Sequence, residues 1–130
     1  QQELIQITEV DNSVDSTGYS SNPYTCENTN DKIFLPSYRE MVNTAYGFNG
    51  DYSVSDTARI RLTSDYSRAT GAYMNTSTDY YGNGWWWLRS PYNTNSWYAR
   101  TISNSGNADS DCNVPDPRYG VVPALKIRLS

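Results

Sequence analysis

The sequence predicts a single α+β domain over residues 1–130, with two short helices packed on a small antiparallel sheet and joined by long loops. Ser37 and Glu40 form a capping-box pattern ahead of an apolar stripe, which indicates a helix in the first half of the chain. A second helix is expected just before Gly71. The last third changes to a Trp- and Tyr-rich strand pattern. Helices followed by strands are typical of the α+β class.

The first 36 residues are predicted to hold little regular structure. Leu4, Ile5, Ile7 and Val10 form a short apolar cluster, which is compatible with a strand or with the end of a helix. Residues 11–30 are polar and turn-forming, so we expect a long loop. Residues 32–35 then predict a short buried strand that Pro36 ends.

Two helices are predicted in the middle of the chain. The first covers residues 37–46, where Ser37 caps the start and Gly47 suits a left-handed stop. Met41, Val42 and Ala45 give this helix one apolar stripe. The second covers residues 64–70 and is closed by Gly71.

The last third predicts an antiparallel sheet. Residues 85–89 indicate a buried strand and residues 97–102 an alternating one. Residues 103–106 form a turn, after which residues 109–113 can return as a third strand. The last strand is expected over residues 119–127, with Pro123 indicating an edge strand or a bulge.

The charge and the missing histidine exclude several classes of function. The chain has 10 basic and 14 acidic residues, a net charge of −4, and no histidine. An acidic chain with only two lysines lacks the basic footprint of a nucleic-acid binder. Without histidine, neither imidazole-based catalysis nor an imidazole metal site is available. No apolar run reaches the ~20 residues of a membrane span, so we expect no membrane insertion.

The composition favours a contact surface. Asn, Ser and Thr together number 41 of the 130 residues, and 12 Tyr and 4 Trp outnumber 2 Phe. Tyr and Trp supply rigid contact area, and short polar side chains supply adaptable hydrogen bonds. This composition is also typical of extracellular proteins, which is the localisation that we expect.

Cys26 and Cys112 leave two alternatives open, a disulfide and a pair of free thiols. A pairing would close a long loop and stabilise the fold by about 4 kcal/mol. Two cysteines without histidine do not make a standard zinc site. The chain also contains one sequon, Asn75-Thr76-Ser77, which matters only in a eukaryotic secretory setting.

Four blocks carry a resemblance to a known family, and their joint order and spacing span residues 3–129. The sequence resembles an uncharacterised bacterial domain family with D-K-x-F-L-x-S, W-W-L-R-S-P and G-V-R-P-A-L motifs. That family is similar to the C-type-lectin-like fold of formylglycine-generating enzymes and of the variable proteins of diversity-generating retroelements. The blocks here are Asp31-Lys32-Ile33-Phe34-Leu35-Pro36-Ser37, residues 63–73, Trp85-Trp86-Trp87-Leu88-Arg89-Ser90-Pro91, and Gly120-Val121-Val122-Pro123-Ala124-Leu125-Lys126-Ile127.

Two departures from the family pattern affect what the resemblance implies. Val122 stands where the family usually has Arg, so an ion pair of that Arg is missing or moved. The family also begins further upstream with a helical stretch, so the resemblance implies a missing N-terminal segment or a second piece of chain.

The resemblance implies a non-enzymatic, extracellular recognition domain without a cofactor. In such domains the final strands and loops display a ligand-binding face, and in retroelement variable proteins this segment is diversified. The expected ligand is a protein or a glycan on another cell or particle; the oligomeric state stays open. The alternative is a structural module of a secreted or surface-anchored bacterial protein, in which these residues form an ordinary solvated loop. The predicted contact residues are Tyr92, Asn93, Thr94, Asn95, Trp97, Tyr98, Asn107, Asp109, Asp111, Asn113, Arg118 and Tyr119.

Other conspicuous residues are assigned to structure. Strand alternation places at least one or two of Trp85, Trp86 and Trp87 in the core. Arg89 is expected to fork onto a carboxylate or backbone carbonyls, which leaves Arg118 as the better binding candidate.

Neither a metal site nor an oxidase activity is predicted. Asp109, Asp111 and Asp116 suggest a calcium loop, but the E-P-N, Q-P-D and W-N-D motifs of sugar-binding C-type lectins are absent. The local sequences around Cys26 and Cys112 do not reproduce the oxidase branch of the fold.

Overall fold

Short strands, short helices and long connections follow one another along the chain. The structure is a computed structural model, and it describes residues 4–108 and 110–129. Helices precede a three-stranded antiparallel sheet, which confirms the α+β class. Two 3₁₀ turns, at Thr44–Tyr46 and Thr57–Arg59, accompany the regular elements. These elements are β1 (Ile5–Gln6), β2 (Thr8–Val10), α1 (Val14–Thr17), β3 (Thr29–Asp31), α2 (Tyr38–Met41), α3 (Asp65–Ala69), β4 (Trp86–Pro91), β5 (Tyr98–Ile102), β6 (Ser110–Asn113) and β7 (Lys126–Ile127).

β5 is the central strand of the largest sheet. It pairs antiparallel with β4 on one side and with β6 on the other. The register places Ile102 opposite Trp86 and Arg100 opposite Asp111. Because side chains alternate along a strand, these four residues share one face of the sheet. We call it the inner face, since the core packs against it.

The hydrophobic core lies between the inner face and α2. Trp86, Leu88 and Ile102 come from the sheet, and Tyr38 and Met41 come from α2. Burial alternates strictly along β4, which confirms that the Trp run is at least partly core: Trp86 is buried and Trp87 is half-buried. The buried indole Nε1 of Trp86 also donates a hydrogen bond of 3.1 Å to the Arg59 carbonyl.

The helix predicted for residues 37–46 is shorter than expected. Its capping box is confirmed: the Glu40 N–H donates to the Ser37 hydroxyl, and the Ser37 N–H donates to the Glu40 carboxylate. α2 nevertheless ends at Met41, and a separate 3₁₀ turn begins after Asn43. The Asn43 side chain accepts from the Ala45 N–H at 2.9 Å, an alternative to a helical hydrogen bond that breaks the helix.

The second helix is confirmed as α3, with the Ser64 hydroxyl accepting from the Ser67 N–H. The N-terminal region is more ordered than its polar sequence predicts. α1 and β3 lie within residues 11–31, and β3 pairs with β2. Local side-chain bonds organise this region, such as Asn12 Nδ2 to the Glu27 carbonyl at 3.2 Å.

The C-terminal segment, residues 120–127, contacts three separate parts of the chain. Gly120 bridges Trp86 in parallel, Ala124 bridges Phe34, and β7 pairs with β1. The strand predicted over residues 119–127 is therefore regular only at β7. Pro123 lacks the N–H that a continuous ladder needs. Phe34 likewise forms only a bridge, so residues 32–35 are not a full strand.

Both cysteines are free thiols in the structure, so the disulfide alternative is not realised. Cys26 is exposed, and Cys112 lies on β6 with its sulfur 3.8 Å from the Thr101 hydroxyl. Among the described residues, no helix is long and apolar enough to cross a membrane.

Candidate functional site

The β4–β5 loop displays an exposed tryptophan on an ordered backbone. The Tyr92 N–H donates to the Tyr98 carbonyl at 3.1 Å, and the Tyr98 N–H donates to the Asn95 carbonyl at 3.3 Å. The Asn95 side chain accepts from the Trp97 N–H at 2.9 Å. Trp97 itself is 66 % exposed. These bonds hold the loop while its largest aromatic ring faces solvent.

The segment after β6 lies against this loop. The Val114 N–H donates to the Trp97 carbonyl at 2.8 Å, and the Asp116 N–H donates to the Asn113 carbonyl at 2.9 Å. Arg118 is exposed, and its Nη2 lies 2.6 Å from the Asp116 carboxylate. The hydrogen bonds from Arg118 lower the pKa of Asp116 to about 2. An ordered, charged turn therefore borders the exposed Trp97.

Tyr119 lies on the outer face of the sheet, opposite the inner face. Its ring makes edge contacts with Trp87, at a centroid distance of 5.0 Å, and with Trp85, at 6.0 Å. Burial, together with a hydrogen bond to Cys112, raises the pKa of Tyr119 to about 12. Asp111 points to the inner face, because it pairs with Arg100 across β5 and β6. The structure thus separates two residues that were predicted to share one surface.

Asn107 is also remote from the β4–β5 loop. Its side-chain amide donates to the Ser53 carbonyl at 2.6 Å, which ties the turn before β6 to the residue 50–56 region. Asn113 stands at the other end of β6, about 10 Å from the first residue of that strand at ~3.3 Å per residue. Asp109, which was predicted to bind ligand, lies outside the described residues.

Most of the predicted contact residues form one group around the β4–β5 loop, which lies beside the turn that follows β6. Asn107 and Tyr119 lie elsewhere, and Asp111 lies on the inner face, where it lines one cavity together with Tyr92. Within the described part of the chain, no three Cys, Asp or Glu side chains gather as a metal site. The coherent group consists of Tyr92, Asn93, Thr94, Asn95, Trp97, Tyr98, Asn113 and Arg118.

Arg89 is structural, as its motif predicted. Its Nη1 donates to the Leu35 carbonyl and lies 2.7 Å from the Glu40 carboxylate. Its Nε and Nη2 both donate to the Asp11 carbonyl. One guanidinium thereby joins β4, α2 and the N-terminal region.

Sequence reasoning missed two buried arginines, Arg59 and Arg100. Arg59 is fully buried in an irregular region where the sequence gives no periodicity. The burial of Arg100 could have been predicted from the sequence. Strand alternation places it on the same face as Ile102, which is fully buried, so its charge points toward the core.

Comparison with known proteins gives one family match. The model of a family described as Domain of unknown function (DUF6273) matches residues 1–129. That match includes every helix and strand described above, together with the β4–β5 loop. No curated protein and no solved structure matches the chain.

Proposed function

We propose that this chain, which belongs to the DUF6273 family, is a non-enzymatic recognition domain with a C-type-lectin-like fold. Its ligand is a protein or a glycan on another cell or particle, and its working location is extracellular. The observation that carries the proposal is Trp97, which is 66 % exposed on a backbone held by four hydrogen bonds. Large exposed aromatic rings among polar groups are typical of binding hot spots.

The neighbours of Trp97 complete a contact surface of the usual kind. Tyr98, the next residue in the chain, and Tyr92 are half-buried, and their ring centroids lie 6.3 Å apart. Short polar side chains surround these rings, and Arg118 lies on the adjoining turn. An aromatic centre with a polar rim supports binding by shape and hydrogen bonding rather than by net charge.

We further propose that this surface is the diversified segment of a retroelement variable protein. The Asn, Ser, Thr, Tyr and Asp residues of residues 92–118 are those that adenine-directed mutation of codons frequently specifies or yields. We expect two elements near the gene of this protein: a reverse-transcriptase gene, and a near-copy of the coding segment for residues 85–127 that differs from it at adenines. A gene neighbourhood without both elements contradicts the diversification but not the binding.

The binding test uses immobilised glycans and surface proteins as probes. The triple variant W97A/Y98A/R118A is expected to lose at least tenfold in affinity for every probe that the wild-type domain binds. Y66A is the matched control, since Tyr66 is 80 % exposed on α3, in a different part of the chain. Unchanged binding by the triple variant would refute the surface assignment.

A further inference from the structure

A cavity of about 370 Å³ lies at the inner face of the sheet, below the β4–β5 loop. Tyrosine rings form most of its wall, and the neighbouring strands β5 and β6 add one cationic and one anionic side chain. We call it the tyrosine cavity. Its lining residues are Gly18, Tyr19, Tyr38, Tyr52, Tyr92, Arg100 and Asp111.

The Arg100 guanidinium is held between two rings of this wall. Its Cζ lies 3.7 Å from the ring centroid of Tyr38 and 4.7 Å from that of Tyr19. Nη1 donates to the Thr17 carbonyl at 3.1 Å. These contacts fix the side chain, and Arg100 as a whole is only 7 % exposed.

This buried cation lacks a full set of acceptors. Nε of Arg100 is buried and has no hydrogen-bond partner. Among the described residues, no carboxylate forms an ion pair with Arg100. Burying a charged donor without an acceptor is costly, so such a group calls for an explanation.

Two comparison arginines, the fully buried Arg59 and the half-buried Arg89, are satisfied by the protein itself. Arg59 donates to five backbone carbonyls and pairs with Asp56. Arg89 pairs with Glu40 and donates to two carbonyls. Arg100 differs from both, and it lines a cavity. A ligand in that cavity is therefore expected to supply an acceptor to the part of the Arg100 guanidinium that lines it.

The wall of the cavity defines the ligand chemistry. A guanidinium selects a carboxylate or another planar oxyanion. Asp111, opposite Arg100, accepts hydrogen bonds and repels a ligand that offers only negative oxygens, such as sulfate. Tyrosine rings provide flat faces for an apolar surface and hydroxyls for polar groups. The ligand therefore needs a carboxylate, neighbouring donors and a flat apolar face.

We propose that the tyrosine cavity binds a hexuronic acid residue of a glycan. The sugar carboxylate faces Arg100, ring hydroxyls donate to Asp111, and the apolar side of the ring packs on the tyrosines. This assignment rests on the proposed recognition function and names the glycan class that the domain takes.

Galacturonic acid and galactose are matched probes, because they differ in the carboxylate. Titration followed by NMR is expected to give saturable binding of galacturonate, at least tenfold tighter than of galactose, with the shifts at Tyr92 and Tyr52. R100M is expected to lose this preference, whereas R68M, a change on exposed α3, keeps it. Equal binding of the two sugars, or shifts confined to Trp97, overturns the proposal.

D111N gives a test that does not depend on removing Arg100. With the carboxylate of Asp111 neutralised, sulfate binding is expected to rise at least fivefold while galacturonate binding falls. Sulfate affinity that does not respond to D111N contradicts the role of Asp111. If galacturonate fails to bind but a probe that depends on Trp97 is retained, the uronate inference falls and the proposed recognition surface stands.

Discussion

Replacing Arg59 with methionine tests whether one buried guanidinium organises the irregular middle of the chain. Arg59 is 0 % exposed and donates to the carbonyls of Met41, Asn49, Asp51, Val54 and Gly106. It therefore joins the end of α2, the loop of residues 49–56 and the turn before β6. In this region no extended ladder supplies the backbone hydrogen bonds.

The magnitude follows from what R59M leaves behind. Five carbonyls lose a charged donor, and Asp56, whose carboxylate is 3.5 Å from Nε, loses its cation. Each hydrogen bond to a charged group is worth ~1.5–3 kcal/mol. Removing the charge also removes its desolvation cost, so the net loss matches that of other broken buried charge networks, about 3–5 kcal/mol. Domains of this size have a stability of ~5–15 kcal/mol.

Urea unfolding followed by Trp fluorescence measures this loss, since Trp86 is buried and bonded to the Arg59 carbonyl. At an m-value of about 2 kcal/mol/M, the midpoint is expected to fall by roughly 2 M. R68M is the control: Arg68 makes an exposed 3.7 Å pair with Asp65 and an exposed 3.7 Å contact with the Met74 sulfur, and their loss is expected to cost less than about 0.5 kcal/mol. A loss below about 1 kcal/mol for R59M, at an unchanged m-value, would refute the reasoning.

Three further predictions concern single residues. Gly106→Ala is expected to destabilise the fold by about 2 kcal/mol or more, because φ is +80° and the new Cβ would lie 2.0 Å from the Asp56 carbonyl oxygen. Gly47→Ala is the control, since Gly47 has a φ of +86° but open space around it, so that this variant shows only the backbone cost of ~1 kcal/mol. Equal urea midpoints for the two variants would contradict the predicted clash with Asp56. Ser37→Ala is expected to cost ~0.5–2 kcal/mol in the same assay, and no change contradicts the capping box. The pKa of Asp116 is about 2 in the folded state, against an ordinary 3.8. Its contribution to the stability of the fold is therefore complete above pH 3.8 and is lost as the pH falls from 3.8 to 2. An NMR titration of the carboxyl group measures this pKa, and a midpoint near 3.8 would contradict the prediction.

Local hydrogen-bond chemistry made parts of the fold predictable. The capping box of α2, the Ser64 cap of α3 and the alternation of β4 all follow from residues within one turn or one strand. These features depend on neighbours a few positions away, so a single sequence contains them.

Features that depend on distant partners could not be read from the sequence. β1 and β3 form because residues far along the chain pair with them, and β7 is regular over only two residues. The saturation of Arg59 requires three segments that no periodicity links. For the candidate site, the composition of the β4–β5 loop was enough to find it in the sequence. The distribution of the predicted contact residues between the two faces of the sheet could not be found in this way. The register of β6 places Asp111 inward. Tyr119 lies beyond β6 and packs against the Trp87 ring on the other face.

The three contacts of residues 120–127 also determine when this domain can fold during its synthesis. Ile5 pairs with Ile127, Phe34 with Ala124 and Trp86 with Gly120, so each pairing can form only after its C-terminal partner has left the ribosome. Contacts of such high sequence separation are typical of slow folding. Until that moment β1 has no partner, and one edge of the Trp86 strand is open to other chains. We therefore expect chaperone association to be strongest on nascent chains that stop just short of residue 120.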